Sequence, residues 1–194
     1  MTDGEWPVEL TGVTESVVTT LGPNGRWNVA ALGLFAGDPV TARTWGQTRT
    51  RRNFENEGGG YVQFVRDPVD FVDAACSIRE EETPVLQSAD AWVNVDSEAA
   101  DRGIENGTEW IEWELVPTDS AIERETVPTT NRGYYAVVEA TVAASRLDVE
   151  GYDTELLLDR IDYFESVVER CGGPRERTAF DRFREHVGLE AKSE

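Results

Sequence analysis

Val13-Thr14-Glu15-Ser16-Val17-Val18-Thr19-Thr20, then Leu21-Gly22-Pro23-Asn24-Gly25, then Trp27-Asn28-Val29-Ala30-Ala31-Leu32-Gly33-Leu34-Phe35 is the stretch that decides the fold. Its first segment is rich in β-branched residues, which suit a pleated, half-buried strand. The middle segment ends in Asn-Gly, the strongest short-range hairpin signal, because both residues tolerate the positive φ of a tight turn. Two strands joined by such a turn make a β-hairpin over Val13 to Phe35.

The pattern continues outward from that hairpin. Gly37-Asp38-Pro39 turns the chain into a third strand, Val40 to Trp45. A helix over Thr48 to Glu57 follows, stopped by Gly58-Gly59-Gly60, and then a fourth strand, Tyr61 to Val65. Asp67-Pro68 opens a short amphipathic helix through Phe71, Val72 and Ala75. Arg79 to Glu82 reads as a charged loop between that helix and two further strands, Ala89 to Val95 and Thr108 to Val116. Met1 to Leu10 is polar, with a Trp-Pro pair, and reads as an arm or a short edge strand. Six short strands with small helices between them point to a closed or partly closed barrel rather than a doubly wound sheet. No G-x-G-x-x-G lies between a strand and a helix, so a dinucleotide-binding fold has no support.

From about Thr129 the pattern becomes helical. Tyr135, Val138, Val142 and Leu147 recur at near-helical spacing within Asn131 to Leu147, although the β-branched residues there also permit a strand. Leu156, Leu157, Ile161, Phe164 and Val168 form one face of a clearer helix, Asp153 to Cys171, ended by Gly172-Gly173. Pro174 opens a last helix through Phe180, Phe183 and Val187. The fold class is α+β, mainly β: a barrel domain over residues 1–128 and a C-terminal helical bundle over residues 129–194.

With 194 residues and 39% apolar content including six Trp, the chain can bury a core of some size. Its formal charge is -20, with one Lys against seventeen Arg and acids scattered along its length. So acidic a chain is a poor nucleic-acid binder. Scattered acids with almost no lysine suit a protein that stays hydrated in concentrated salt, a halophilic reading in which screening shortens self-repulsion. A surface that docks a basic partner is the alternative, and would gather the acids into a block. The longest apolar runs fall far short of the roughly 20 residues a spanning helix needs, and no leader is recognisable, so a cytoplasmic, membrane-free protein is expected. Cys76 and Cys171 lack C-x-x-C spacing and have only His186 for company, which favours free thiols over a zinc or dithiol site. His186 fits a surface or packing role, and no familiar catalytic triad can be assembled.

Thr41 to Asn53 runs against this acidity. It holds four of the eighteen cationic residues, Arg43, Arg49, Arg51 and Arg52, and no acid. A local charge of +4 beside a helix start is where an anion would be drawn, because first-turn N–H groups and the helix dipole both favour negative charge. Hydroxyls of Thr44, Thr48 and Thr50, the amides of Gln47 and Asn53, and a guanidinium from Arg43 or Arg49 could complete a phosphate shell. The plainer alternative is that Thr50 caps a surface helix whose arginines pair with the abundant acids. Glu15, in an apolar strand, is expected to need a partner if buried.

Gly12 to Thr20, Asn24-Gly25, Asn28 to Gly33, Arg43 to Asn53, and Asp67-Pro68 with Phe71 together resemble the FMN-binding split-barrel proteins of the flavin reductase-like kind. More narrowly, they resemble an archaeal, largely uncharacterised branch of that fold. The likeness covers roughly the first 120 residues, and Glu139, Ala140, Ser145, Arg146 and Leu147 extend it into the C-terminal part. The resemblance implies FMN as cofactor. Its phosphate would sit on the T-x-T-x-x-N segment Thr48, Thr50 and Asn53, near Arg43, Thr44, Gln47 and Arg49. Its ring would lie against Asn28, Val29 and Ala30 of the second strand. A homodimer with flavin near the seam, and NADH or NADPH as electron donor, are further implications.

Alternatives stay open at several residues. Asn28 could simply end the hairpin turn, and Trp45 could stack on a ring or belong to core or interface. A flavoprotein oxidoreductase, whose cofactor carries the redox chemistry, is the leading function. A flavin carrier or sensor, and a dimeric split barrel without flavin, are the competing ones.

Overall fold

The computed structural model of the protein describes residues 4–147 and 149–189. The chain forms two compact units, Met1–Arg66 with Ile78–Thr126, and Asp67–Ser77 with Val127–Glu194.

The first unit carries strands β1 (Val13–Leu21), β2 (Trp27–Phe35), β3 (Val40–Trp45), β4 (Gly59–Val65), β5 (Arg79–Glu81), β6 (Ala89–Glu105) and β7 (Thr108–Ile122), with helix α1 (Arg49–Glu57) between β3 and β4. Gly4 to Leu10 forms no strand, and Trp6 and Leu10 pack on the barrel core. The hairpin β1–β2 pairs from Val13↔Phe35 to Leu21↔Trp27. All pairings are antiparallel and run β1-β4-β6-β7-β3-β2, closing through β2 back onto β1. Six strands therefore form a closed barrel, and the alternation of each strand sends Val18, Leu34, Val62, Val93, Ile111 and Leu115 inward, none more than 2% exposed. Phe54 of α1 joins this core, edge-on to Trp113 with ring centroids 5.2 Å apart.

The barrel is uneven at β2. One edge of that strand is taken along its whole length by β1. The other pairs with β3 at Leu34 and Phe35 and with β5 at Trp27, Asn28 and Val29. Ala30 to Gly33 has no ladder partner on that edge among the described residues.

Glycines end α1 and start β4 for different reasons. Gly58 adopts φ 72°, the left-handed turn that stops the helix, and its N–H returns to the Phe54 carbonyl. At Gly59 a Cβ would lie 2.2 Å from the Val95 carbonyl oxygen, so β4 could not approach β6 with any larger residue there.

Three sequence expectations are corrected here. Arg79 to Glu82 is not simply a loop, since Arg79–Glu81 adds to the β2 edge. Strands β6 and β7 extend well beyond the expected apolar runs and meet at Asn106-Gly107, with φ of 47° and 76°, a two-residue hairpin turn between Glu105 and Thr108. Glu15 is exposed, so its carboxylate is not a buried charge.

The second unit packs α2 (Pro68–Cys76), α3 (Arg132–Ala144), α4 (Thr154–Cys171) and α5 (Pro174–Val187). Within the segment from Asn131 to Leu147, Arg132–Ala144 is helix and no part is strand. Caps explain the starts: Asp67, Asn131 and Asp153 each accept a first-turn N–H, while Glu176 reaches back to the Gly173 N–H at 2.8 Å. Val72, Val137, Ala140, Ile161 and Phe183 make the core. Asp73 ties α2 to α5 by accepting from Arg182 and by its 3.0 Å contact with His186 Nε2. No described helix is long and apolar enough to cross a membrane.

Candidate functional site

The start of α1 is built by a turn, a cap and three outward arginines. β3 ends at Trp45, and Gly46 (φ 64°) reverses the chain while its N–H donates to the Glu109 carbonyl at 2.7 Å. Thr48, not Thr50, is the N-cap: extended at φ -75° and ψ 162°, it accepts the Arg51 N–H on its hydroxyl at 3.2 Å. A helix leaves its first N–H groups without intrahelical acceptors. Those of Arg49 and Thr50 have no acceptor among the described residues. No acid lies in the first turn.

The inner face of α1 closes one end of the barrel. Thr50 and Asn53 are each 5% exposed. Asn28 Nδ2 reaches Thr50 Oγ1 at 3.4 Å, and Asn53 Nδ2 donates to Thr20 Oγ1 at 2.9 Å. Thr20 and Asn28 stand opposite each other in the β1–β2 register. These four side chains form one buried polar cluster, in which the amide of each Asn finds a Thr hydroxyl, as burial favours. A second network lies alongside. Fully buried Gln63 donates to Thr19 Oγ1 (3.1 Å) and the Pro84 carbonyl (2.9 Å) and accepts the Leu86 N–H (2.7 Å).

Arg43, Arg49 and Arg51 are partnered. Arg43 donates to Glu112 at 2.8 Å with its guanidinium 4.5 Å from the Trp110 ring centre. Arg49 donates to Glu80 at 2.7 Å, and Arg51 to Glu55 (3.3 Å) and Glu109 (3.1 Å). Desolvation works against the Arg51 charge, but hydrogen bonds to Glu109 and Glu55 outweigh it and raise its pKa above the ordinary value. Arg52 is exposed, without an ion pair among the described residues. The +4 counted along the chain is thus largely neutralised in space by acids distant in sequence.

The residues singled out from sequence therefore divide. Asn28, Thr50 and Asn53 come together inside the barrel end, with Thr48 and Arg49 at the adjoining helix start. Thr44 lies inward on β3, where its hydroxyl accepts from Trp113 Nε1 at 2.9 Å, and Arg43 points away from it toward Glu112. Gln47 donates to Glu109 at 3.3 Å. Val29 is buried and Ala30 half-buried on β2. Trp45 is 42% exposed, so it is not a core residue. A separate groove of about 390 Å³, lined by Phe64, Arg66, Asp90, Ile122 and Arg124, lies elsewhere on the barrel, and both of its arginines meet Asp90.

Residues 14–124 match the family model described as "Protein of unknown function (DUF447) N-terminal domain", and residues 131–185 match "Protein of unknown function (DUF447)". The chain belongs to the DUF447 family. Among solved structures, an FMN-bound DUF447 protein from Methanosarcina mazei superimposes with a TM-score of 0.77 at 27% identity, over 92% of this chain and 96% of that one. More distant likenesses are the styrene monooxygenase flavin reductase of Pseudomonas putida S12 and an FMN-binding protein from Thermus thermophilus. The first has 12% identity and a TM-score of 0.42, over 62% of this chain and 96% of that one. The second has 10% and 0.43, over 68% and 86%. The split barrel expected from the sequence is the fold this DUF447 chain has.

Two residues at the site escaped the sequence reading. Thr20 was legible as part of the strand, and its inward alternation with Ser16 and Val18 was the available signal. Glu80 had none, because a three-residue charged edge strand carries no periodicity.

Proposed function

We propose that this DUF447 protein binds FMN in its barrel unit and acts as an oxidoreductase of the flavin reductase-like kind. The observation that carries the reading is the likeness to the FMN-bound Methanosarcina mazei protein along nearly all of both chains. The residues present fit such a ligand. The start of α1 offers the N–H groups of Arg49 and Thr50, the Thr48 hydroxyl and the Arg49 guanidinium to a phosphate. The β2 edge offers unpaired backbone over Ala30 to Gly33 for the ring. That seat differs from the one over Asn28, Val29 and Ala30, because β5 already pairs with Asn28 and Val29.

When bound, FMN supplies one- or two-electron chemistry, and the chain's own part is to hold and orient it. The buried cluster of Thr20, Asn28, Thr50 and Asn53 fixes α1 against the barrel end, so the donors at its start are pre-organised. Reduced nicotinamide as donor and a second copy of the chain at the flavin seam belong to the same proposal, as does a cytoplasmic, salt-adapted setting. Exposed Phe35 and Trp45 suit the pairing of copies.

Mass spectrometry of the small molecule that co-purifies in molar salt tests the ligand. Arg49→Gln is expected to weaken FMN binding about three- to fivefold, the worth of one partly exposed charge pair, and to leave riboflavin unchanged. Equal losses for both flavins would reject the phosphate assignment. NADH or NADPH oxidation that requires added FMN separates turnover from simple flavin carriage.

A further inference from the structure

Glu80 stands on β5 opposite Asn28, and its carboxylate is where donors from two segments meet, the start of α1 and the β1–β2 turn. Arg49 Nη1 of α1 donates to Oε1 at 2.7 Å. Asn24 Nδ2, in the hairpin turn, donates to Oε2 at 3.1 Å. Arg26 Nε lies 3.7 Å from Oε2, and its Nη2 donates to the Glu80 main-chain carbonyl at 3.2 Å. The Glu80 side chain keeps 28% of its exposure, so dissolved ions reach these contacts.

The charge balance around α1 gives this arrangement its meaning. The helix opens Arg49-Thr50-Arg51-Arg52, cations at the positive end of its dipole, with no acid in the first turn. Arg51 is served by Glu55 and Glu109. For Arg49 the ion-pair partner among the described residues is Glu80. The negative charge that this helix start requires is therefore supplied by β5, on the side chain that also holds Asn24 and Arg26.

We infer that Glu80 is an internal counter-anion, which holds the donors at the start of α1 when no ligand is bound and competes with a phosphate for them. The inference rests on the reading that this helix start receives the phosphate of FMN. A carboxylate and a phosphate cannot share Arg49, Arg26 and Asn24 without like-charge repulsion. The phosphate prevails because it carries nearly two charges and three acceptor oxygens against one charge and two. A ligand without phosphate leaves Glu80 in place, so this side chain sets how strongly the site prefers phosphorylated over plain flavin.

The test uses the full chain as wild type, Glu80→Gln and Glu80→Asp, with FMN, riboflavin and inorganic phosphate as probes. Flavin fluorescence titration and thermal melting are the readouts. Glu80→Gln is expected to bind FMN about three- to fivefold more tightly, to leave riboflavin unchanged, and to melt higher in phosphate by more than wild type does. Glu80→Asp, which keeps the charge but withdraws it by one methylene, falls between the two and stands in if the glutamine variant does not fold. Weaker FMN binding by Glu80→Gln overturns the inference, since Glu80 would then position Arg49 rather than compete for it. If wild type takes up no FMN but Glu80→Gln gains the phosphate-dependent rise, the flavin reading fails and the counter-anion stands. If FMN and phosphate act equally on wild type and both variants, the counter-anion fails and the flavin reading stands.

Discussion

The barrel unit and the helical unit bury different chemistry. In the barrel unit, Ser16, Thr19, Thr20, Asn28, Thr44, Thr50, Asn53, Gln63 and Ser120 are buried polar residues, most of them bonded to other side chains or to main-chain carbonyls of other segments. Among the described residues of the helical unit the buried polar ones are Thr141, which bonds to its own helix at the Val138 carbonyl, and Arg184, which pairs with Glu165. Polar groups cost free energy to bury unless each finds a partner, so a core that holds many of them fixes geometry as well as enclosing volume. The barrel end at α1 is where geometry is specified, and the helical core is where apolar area supplies stability.

That contrast can be broken most forcefully from the apolar side. Phe183 is fully buried in the helical core, and Phe183→Ala should cost about 3 to 5 kcal/mol through lost transfer energy and the cavity left behind. Urea unfolding followed by the helical circular-dichroism signal reads that loss. FMN affinity measured below the melting transition should stay within about twofold of wild type, a shift worth less than half a kcal/mol. A large change in flavin affinity would mean that the helical unit takes part in the site.

From the polar side the expected cost is smaller. Gln63→Leu keeps the volume but leaves the Leu86 N–H without its acceptor and removes a donor from the Pro84 carbonyl, at about 1 to 3 kcal/mol. Native-state hydrogen exchange at Leu86 should rise by more than at Val137 of the helical core. Equal loosening at both places would deny that the polar networks act locally.

Much of this contrast was written in the sequence, and its limits have physical causes. The β1–β2 hairpin, β3 and α1 were legible because alternation, Asn-Gly and the glycine run after Glu57 are local signals. Strand β5 was not, since a three-residue edge segment of Arg79, Glu80 and Glu81 is chosen by its pairing with β2 and not by propensity. The long ends of β6 and β7 were missed because their outward residues lose the apolar alternation, although Asn106-Gly107 was there to mark the turn. At the site, clustering Thr48, Thr50 and Asn53 along the chain found the helix start. Linear charge counting failed for Arg43, Arg49 and Arg51, because Glu112, Glu80 and Glu109 come from strands far away in sequence.

The smallest effect sharpens the comparison from the helical side, at a thiol. Cys76 is half-buried at the end of α2, and desolvation, with the nearby Asp73 charge, pushes its pKa up to about 11 from the usual thiol range. Both causes disfavour the thiolate, which is the reactive form. In a Cys171→Ala background, alkylation by iodoacetamide at pH 8 should be slow and should climb as pH rises toward 11. The sign for stability follows. A thiol whose folded pKa is raised holds its proton more tightly than the unfolded chain does, so this contribution is complete below the ordinary thiol pKa and is lost as pH climbs through about 11. Fast alkylation at pH 8 would show an accessible thiolate on α2, and the helical unit would then carry reactive chemistry of its own, contrary to the division between a specified barrel end and an apolar helical core.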